Sequence, residues 1–219
     1  DAEKYEEAGK IRDQIRALEK IFEHRSVIKQ DLPAETQKAL RSLERLLKID
    51  EIKRIEAYDI ANIQGKFAYG SMAVLEDGRI KKDAYRLFKI KSVEGSNDPA
   101  MLREVIFRRL KHKEWPYPQV IIADGGKAQL NAAINASPQP PPLTVRGGGE
   151  KGEELKIIAL AKNKKHVGDH IFISGKSSPI SLARLPESLK NLILMFDSEA
   201  HRFAINSYRK KHRKEMLAE

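Results

Sequence analysis

The 219-residue chain contains no cysteine, which excludes disulfides and thiolate zinc sites outright. Any metal it holds must be bound through oxygen and imidazole, which favours a hard ion such as magnesium or manganese. No apolar run reaches the length of a membrane span, and no signal-peptide core opens the sequence, so the expected compartment is the cytoplasm, with no membrane partner. What is present suits a folded, soluble body: 41% hydrophobic residues with a mean hydropathy of −0.53. The length is enough for one domain of ordinary size plus an appendage.

Basic residues outnumber acidic ones by 41 to 31, a formal charge of +10. Such an excess favours a polyanionic partner, most often nucleic acid, because Lys and Arg neutralise phosphates and release counterions. The excess is local. Residues 1–30 hold seven acids and seven bases, whereas 78–92 hold six bases against one acid and 199–219 hold six against three. The charge therefore belongs to the body and not to the N-terminal segment. The sequence starts with Asp in what reads as mid-helix, and a fragment of something longer is expected.

Ala8, Ile11, Ile15, Leu18 and Phe22 recur at helical spacing, predicting an amphipathic helix over 1–24 whose stripe needs a second surface. Gln30 to Pro33 breaks it, and Leu40, Leu43 and Leu47 predict a second helix within a helical linker over 31–52. From Arg54 the period changes to two. Strands are expected over Arg54–Gly65, Lys66–Leu75 and Tyr85–Ile90, joined in part by the turn Glu76-Asp77-Gly78, as an antiparallel meander. A helix follows Asn97-Asp98-Pro99. Val120-Ile121-Ile122-Ala123 reads as a buried parallel strand ending at Asp124, followed by Gly125-Gly126 and a helix over Lys127–Asn135. The Pro- and Gly-rich run 137–154 predicts a mobile loop, Leu155–Ala161 another buried strand, and Glu187–Glu219 a final helix. The order is that of an α/β layer fold with an antiparallel edge.

Two carboxylates stand out. Asp59 interrupts a strand, where it opposes β-propensity and is costly to bury without a cation or donor. Asp124 ends a buried strand, where open α/β sheets place ligands, though an Asp-Gly-Gly turn would explain it equally well. On adjacent strands the pair would favour a divalent cation between them. Asp98, before Pro99, is expected to cap its helix by accepting from the Met101 N–H. His201 is expected to pair with Asp197 one turn earlier. Ser174-Gly175-Lys176-Ser177 resembles the end of a phosphate loop but lacks its first glycine and its strand–loop–helix setting.

The segments YEEAGKIRDQIRALEK (Tyr5 to Lys20), RIEAYDIANIQG, NDPAMLREVIFRRL, IIADGGKAQLNAA and EAHRFAINSYRKKHRK together resemble, in order and spacing, the UvrC family of bacterial excision-repair nuclease subunits. The first resembles the second half of the UVR helical hairpin, and the others the C-terminal endonuclease half. The resemblance implies a ribonuclease-H-like mixed sheet with flanking helices over 53–219, preceded by the N-terminal helical segment 1–30. It implies a Mg2+- or Mn2+-dependent DNA endonuclease that incises lesion-bearing double-stranded DNA on the 5′ side. Its Asp-Asp-His triad falls on Asp59, Asp124 and His201, with metal on Asp59 and Asp124, and a further family acid falls on Asp98. Arg108, Arg109, Lys127 and Arg202 would hold the DNA backbone. UvrB would dock on Ile11, Ile15, Leu18 and Phe22, a face that could also pair two copies in a weak homodimer over residues 5–22. Two departures are visible: Ser198 stands where the family usually has Asp, and Ala123 precedes Asp124. A catalytically silent DNA-binding or UvrB-docking module, its carboxylates bridged to Lys or Arg, is the alternative.

Overall fold

Ten residues of period-two sequence, Arg54–Ile63, form strand β1, an interior strand of the sheet. The computed structural model describes residues 32–63, 67–93, 95–136, 155–163 and 167–216; the UVR-like segment and the run 137–154 lie outside them. On one side β1 pairs antiparallel with β2 (Phe67–Glu76), from Arg54 opposite Glu76 to Ile63 opposite Phe67. On the other it pairs parallel with β5 (Val120–Asp124), which in turn runs parallel to β6 (Lys156–Lys162). β7 (Gly168–Ile173) and the two-residue β8 (Ile180–Ser181) extend the sheet antiparallel beyond β6. With β3 (Arg79–Ile80) and β4 (Arg86–Lys89) both on the outer edge of β2, the order across the sheet is β3-β2-β1-β5-β6-β7-β8.

The third expected strand is two short ones. Asp77 and Gly78 both take positive φ, 49° and 72°, which is the two-residue hairpin turn that matches strand twist. The turn leads into β3 (Arg79–Ile80). A single 3₁₀ turn at Lys82–Ala84 then interrupts the pairing before β4 (Arg86–Lys89) resumes on the same edge of β2. β7 and β8 have no counterpart among the sequence expectations. Ser174 to Ser177 falls in the connection between them, with Gly175 at φ 79°; no helix begins there, in keeping with the rejected phosphate loop.

Helices cover both faces, as parallel strands require. α2 (Asp98–Leu110) and α3 (Lys127–Ile134) pack together on one face; α1 (Leu32–Leu47) and the long α4 (Glu187–Met216) pack together on the other. Leu40, Leu43 and Leu47 of α1 are buried in the common core, as are Met101, Leu102, Val105, Ile106 and Leu110 of α2. Each such side chain contributes about 1.5–3 kcal/mol by leaving water. α2 lies close over β2 at Gly70, since a Cβ there would collide with the Val105 side chain.

Arg54 and Glu56 of β1 do not face water. Glu56 is fully buried, and its carboxylate accepts from Arg109 Nη2 of α2 at 2.8 Å, Arg54 Nε at 2.9 Å and Tyr58 Oη at 2.7 Å. Arg54 continues the chain of charge to Glu76 at 2.8 Å. Burial, and then the Glu56 charge, hold the Tyr58 hydroxyl well above its usual pKa, so it stays a donor. A buried carboxylate is tolerable only when its lone pairs are met this completely.

Candidate active site

Parallel pairing places Tyr58 of β1 beside Ala123 of β5. Asp59 and Asp124 are each the next residue, so two strands separated by more than 50 residues of sequence bring their carboxylates to the same end of the sheet. Asp98, the first residue of α2, comes to that end from the covering layer. All three line one small cavity of about 100 Å³, together with Tyr58, Ile60, Leu102, Gly125 and Gln129. Gly125 makes the turn after Asp124 with φ 124°, and a Cβ on it would meet the Gln129 side chain at 2.3 Å. Gln129 Oε1 accepts from the Gly126 N–H at 3.0 Å and so ties the turn to the start of α3.

Asp98 is not the cap. The residue before it, Asn97, has non-helical backbone (φ −127°, ψ 76°), and its Oδ1 accepts from the Ala100 N–H at 3.1 Å. The Met101 N–H bonds the Asn97 carbonyl instead. Either of two adjacent Asx residues before Pro99 could have capped, and the one that adopts extended backbone does so. Asp98 is thereby released to the cavity. Two substitutions separate the roles. Asn97→Ala should lower stability by about 1 kcal/mol and leave DNA incision near the parent rate. Asp98→Ser should leave the melting temperature nearly unchanged and lower incision. Parallel melting and nicking assays check both, and the opposite pattern would return Asp98 to a purely structural role.

His201 comes from α4 on the opposite face. Its expected partner Asp197 is not the one it meets: Nδ1 lies 3.3 Å from Oδ2 of Asp59. The helix is held in register by neighbouring contacts. Ser71, opposite Asp59 on β2, donates from its hydroxyl to the Ala200 carbonyl at 2.9 Å. Glu199, one residue further back, accepts from Arg202 and from Tyr85 Oη at 3.0 Å. The hydrogen bond and charge of Asp59 raise the His201 pKa above its usual value, against the opposing effect of partial burial.

Asp197 turns instead to Lys162, the last residue of β6. Lys162 Nζ lies 2.8 Å from Asp124 Oδ2 and 3.1 Å from Asp197 Oδ2. Burial works against the charge of Lys162, but the two carboxylates outweigh it and raise its pKa. Burial, and then repulsion from Asp124 and Asp59, push the Asp197 carboxyl up to about 6, although Lys162 opposes the shift. Neither Lys162 nor the Asp197–Lys162 pair was visible as part of the site in the sequence.

The sign of the consequence for stability follows from proton binding. An Asp raised from near 4 to about 6 holds its proton longer in the folded chain, so folding is favoured at low pH and that advantage is lost as pH rises across this window. His201, also raised, adds stability that is complete below its unfolded pKa of about 6.5 and is lost as pH passes its folded value. Glu104 and Glu199, both lowered, contribute the opposite slope over the same range, so the comparison is between proteins: from pH 4 to 6 the parent should lose stability relative to Asp197→Asn by an amount on the order of 2–3 kcal/mol. Thermal melts of both proteins check this, and parallel pH profiles would remove Asp197 as a source of pH dependence.

The donor chemistry fits a hard divalent cation: oxygen ligands on a small cavity, with a half-exposed imidazole beside one of them. As the side chains stand, no three carboxylate or imidazole groups among the described residues converge to enclose an ion; the cation now between Asp124 and Asp197 is the Lys162 ammonium.

Residues 44–205 match the family model described as the UvrC RNase H endonuclease domain. The chain belongs to this family. UvrABC system protein C of Syntrophotalea carbinolica is 40% identical over 168 residues, 75% of this chain and 27% of that protein. The protein of the same name from Streptococcus pyogenes serotype M3 is 38% identical over 184 residues, 82% of this chain and 29% of that protein. The chain thus spans under a third of the length of either relative. Among solved structures, Ciona intestinalis endonuclease V in complex with a 24mer DNA containing an inosine followed by a ribo-adenosine is similar at a TM-score of 0.48 and 14% identity, over 88% of this chain and 98% of that one. The fold is the RNase H-like mixed sheet with flanking helices that the motifs implied.

Within this UvrC-type fold the four basic residues expected on DNA are not equivalent. Arg109 is fully buried and bound to Glu56 and to the Pro116 carbonyl, so it cannot reach a phosphate. Arg108 is paired with Glu104 and donates to the Lys89 carbonyl. Arg202 is committed to Glu199. Lys127 is exposed at the start of α3, three residues after Asp124. Among the described residues no helix is long and apolar enough to cross a membrane.

Proposed function

We propose that this domain hydrolyses phosphodiester bonds in lesion-bearing double-stranded DNA with Mg2+ or Mn2+, incising on the 5′ side of the lesion in nucleotide excision repair. The observation that carries the reading is the meeting of Asp59, Asp98 and Asp124 on one cavity, with His201 held on Asp59. Membership of the UvrC endonuclease family supports the reaction class; the resemblance of the motif set supports the side of incision and the repair context.

Asp59 and Asp124 are the residues placed to hold a divalent ion, with Asp98 as a third acid on the cavity. When bound, the ion supplies charge stabilisation for the phosphate and a lowered pKa for water. His201, kept cationic further up the pH scale by Asp59, faces the phosphate and orients the attacking water or the leaving oxygen. Lys127 holds backbone phosphate without reading bases. We extend the proposal to the partner. Ile11, Ile15, Leu18 and Phe22 form the face on which UvrB docks, and the cytoplasm is the compartment.

The test is nicking of ultraviolet-irradiated supercoiled plasmid with Mn2+, with chelator and with Asp124→Asn. Mn2+-dependent nicking that Asp124→Asn abolishes supports the reading; nicking that persists in chelator or in the variant refutes it. One observation favours the rival, a silent module whose acids are bridged to basic side chains: Lys162 spans Asp124 and Asp197. Under that reading no metal would restore activity.

A further inference from the structure

The position of Lys162 is built by the fold and not by chance of a long side chain. In the parallel pairing of β5 and β6, Asp124 lies opposite Leu160, so Lys162, two residues on, projects from the same face one step further along. The pairing of β6 with β7 slips at this point: Ala161 is opposite His170, but Lys162 is opposite Gly168, leaving Asp169 as the extra residue. Bulges of this kind re-aim a side chain, and they gather beside active sites. A Cβ on Gly168 at the bulge would sit 2.7 Å from Leu194 Cδ2 of α4, so β7 lies close under α4 here. Lys162, opposite Gly168, turns towards Asp197, itself only 8% exposed. Lys162 reaches two carboxylates on different layers, Asp124 on the sheet and Asp197 on the helix.

We propose that Lys162 competes with a divalent ion for Asp124, and that Asp197 is the second anchor that keeps its charge paired when the ion takes Asp124. The inference rests on the metal-dependent reading above. It assigns a positioning function to two residues outside the Asp59–Asp124–His201 set. Two charges of the same sign cannot share one carboxylate in a partly buried cleft without cost, so the ammonium lowers the affinity for the ion. Asp197 limits that cost, because without it a displaced ammonium would be left partly buried and unpaired. The device makes the site selective for conditions in which something else favours the ion, such as the added negative charge of a bound phosphate.

The experiment is calorimetric titration of MnCl2 into the parent, Lys162→Met and Lys162→Met/Asp197→Asn proteins without DNA, with circular dichroism to establish that each is folded. Lys162→Met should bind Mn2+ at least about tenfold more tightly than the parent. Its melting temperature should rise more steeply with Mn2+ than the parent's, since a tighter ligand adds more stability at equal concentration. The double variant should keep the tighter binding, because Asp197 serves Lys162 and not the ion. Parent binding with Lys162→Met unchanged or weaker overturns the competition while leaving the metal reading intact. A double variant that loses the tighter binding overturns the role given to Asp197. No Mn2+ binding by any of the three proteins overturns the inference together with the metal reading beneath it.

Discussion

Asp59→Asn should leave a folded protein that nicks plasmid about 10²–10³-fold more slowly than the parent, an effect of the size seen when one preorganised electrostatic group is removed from a reaction centre. Asn keeps the size and one acceptor oxygen but removes the charge that would hold the ion. The stability change should be small, within about 1 kcal/mol, because two effects oppose each other. The variant loses an ion pair to a His201 side chain that is 58% exposed, and it gains relief of the repulsion that Asp59 exerts on Asp197. A second readout is independent of catalysis. The His201 pKa, followed by NMR, should fall towards its ordinary value once the carboxylate that raises it is gone. Parental nicking by Asp59→Asn would sink the proposed site, and a fixed His201 pKa would sink the Asp59–His201 contact separately.

The largest loss of stability is expected elsewhere. Arg109→Ala removes the main cation from a Glu56 carboxylate that is wholly buried, and stranding a buried charge costs about 3–5 kcal/mol. Arg54 and Tyr58 still donate to Glu56, which keeps the expected value near the lower end. The Pro116 carbonyl also loses its donor. Urea unfolding would show the midpoint falling with little change in slope. Arg109→Met combined with Glu56→Gln should lose less than Arg109→Ala alone, since no buried carboxylate charge is then left short of donors and Arg54 keeps Glu76. A shift below about 1 kcal/mol for Arg109→Ala would mean that Arg54 and Tyr58 suffice for Glu56 without Arg109.

The two candidate acids on the sheet could be found in the sequence because each breaks a local rule. Asp59 sits inside a strand, and Asp124 abruptly ends an unbroken apolar run. Lys162 breaks none: a lysine just past a buried strand reads as the return to water, and only its meeting with α4 makes it part of the site. β7 was missed for a related reason. Of GDHIFI only Ile171 and Ile173 are buried, too weak an alternation to stand out beside a lysine-rich stretch. Arg109 was open to correction from spacing alone. It follows Val105 by four and Ile106 by three, so it lies on the stripe that α2 turns inward, and its charge drew attention away from its position. Asp98 and Asn97 are chemically equivalent as caps, and the choice between them depends on backbone angles that no residue pattern records.

His201 and Asp59 are 142 residues apart in the chain, and Ser71 is fastened to the helix turn just before His201 by a hydrogen bond spanning 129 residues. The order of synthesis then becomes a safeguard. At roughly 5–20 residues per second, the proposed cutting centre lacks its imidazole for about 7–28 s after Asp59 is made. β1, β2, β5 and β6 can all have left the ribosome during that time without an armed site among them. A chain broken off early, or clipped before α4, would carry its acids and its lysine but not the helix that supplies His201 and Asp197. Such remnants should be harmless to the chromosome, so under the proposed function α4 acts as a safety catch as well as a wall of the core.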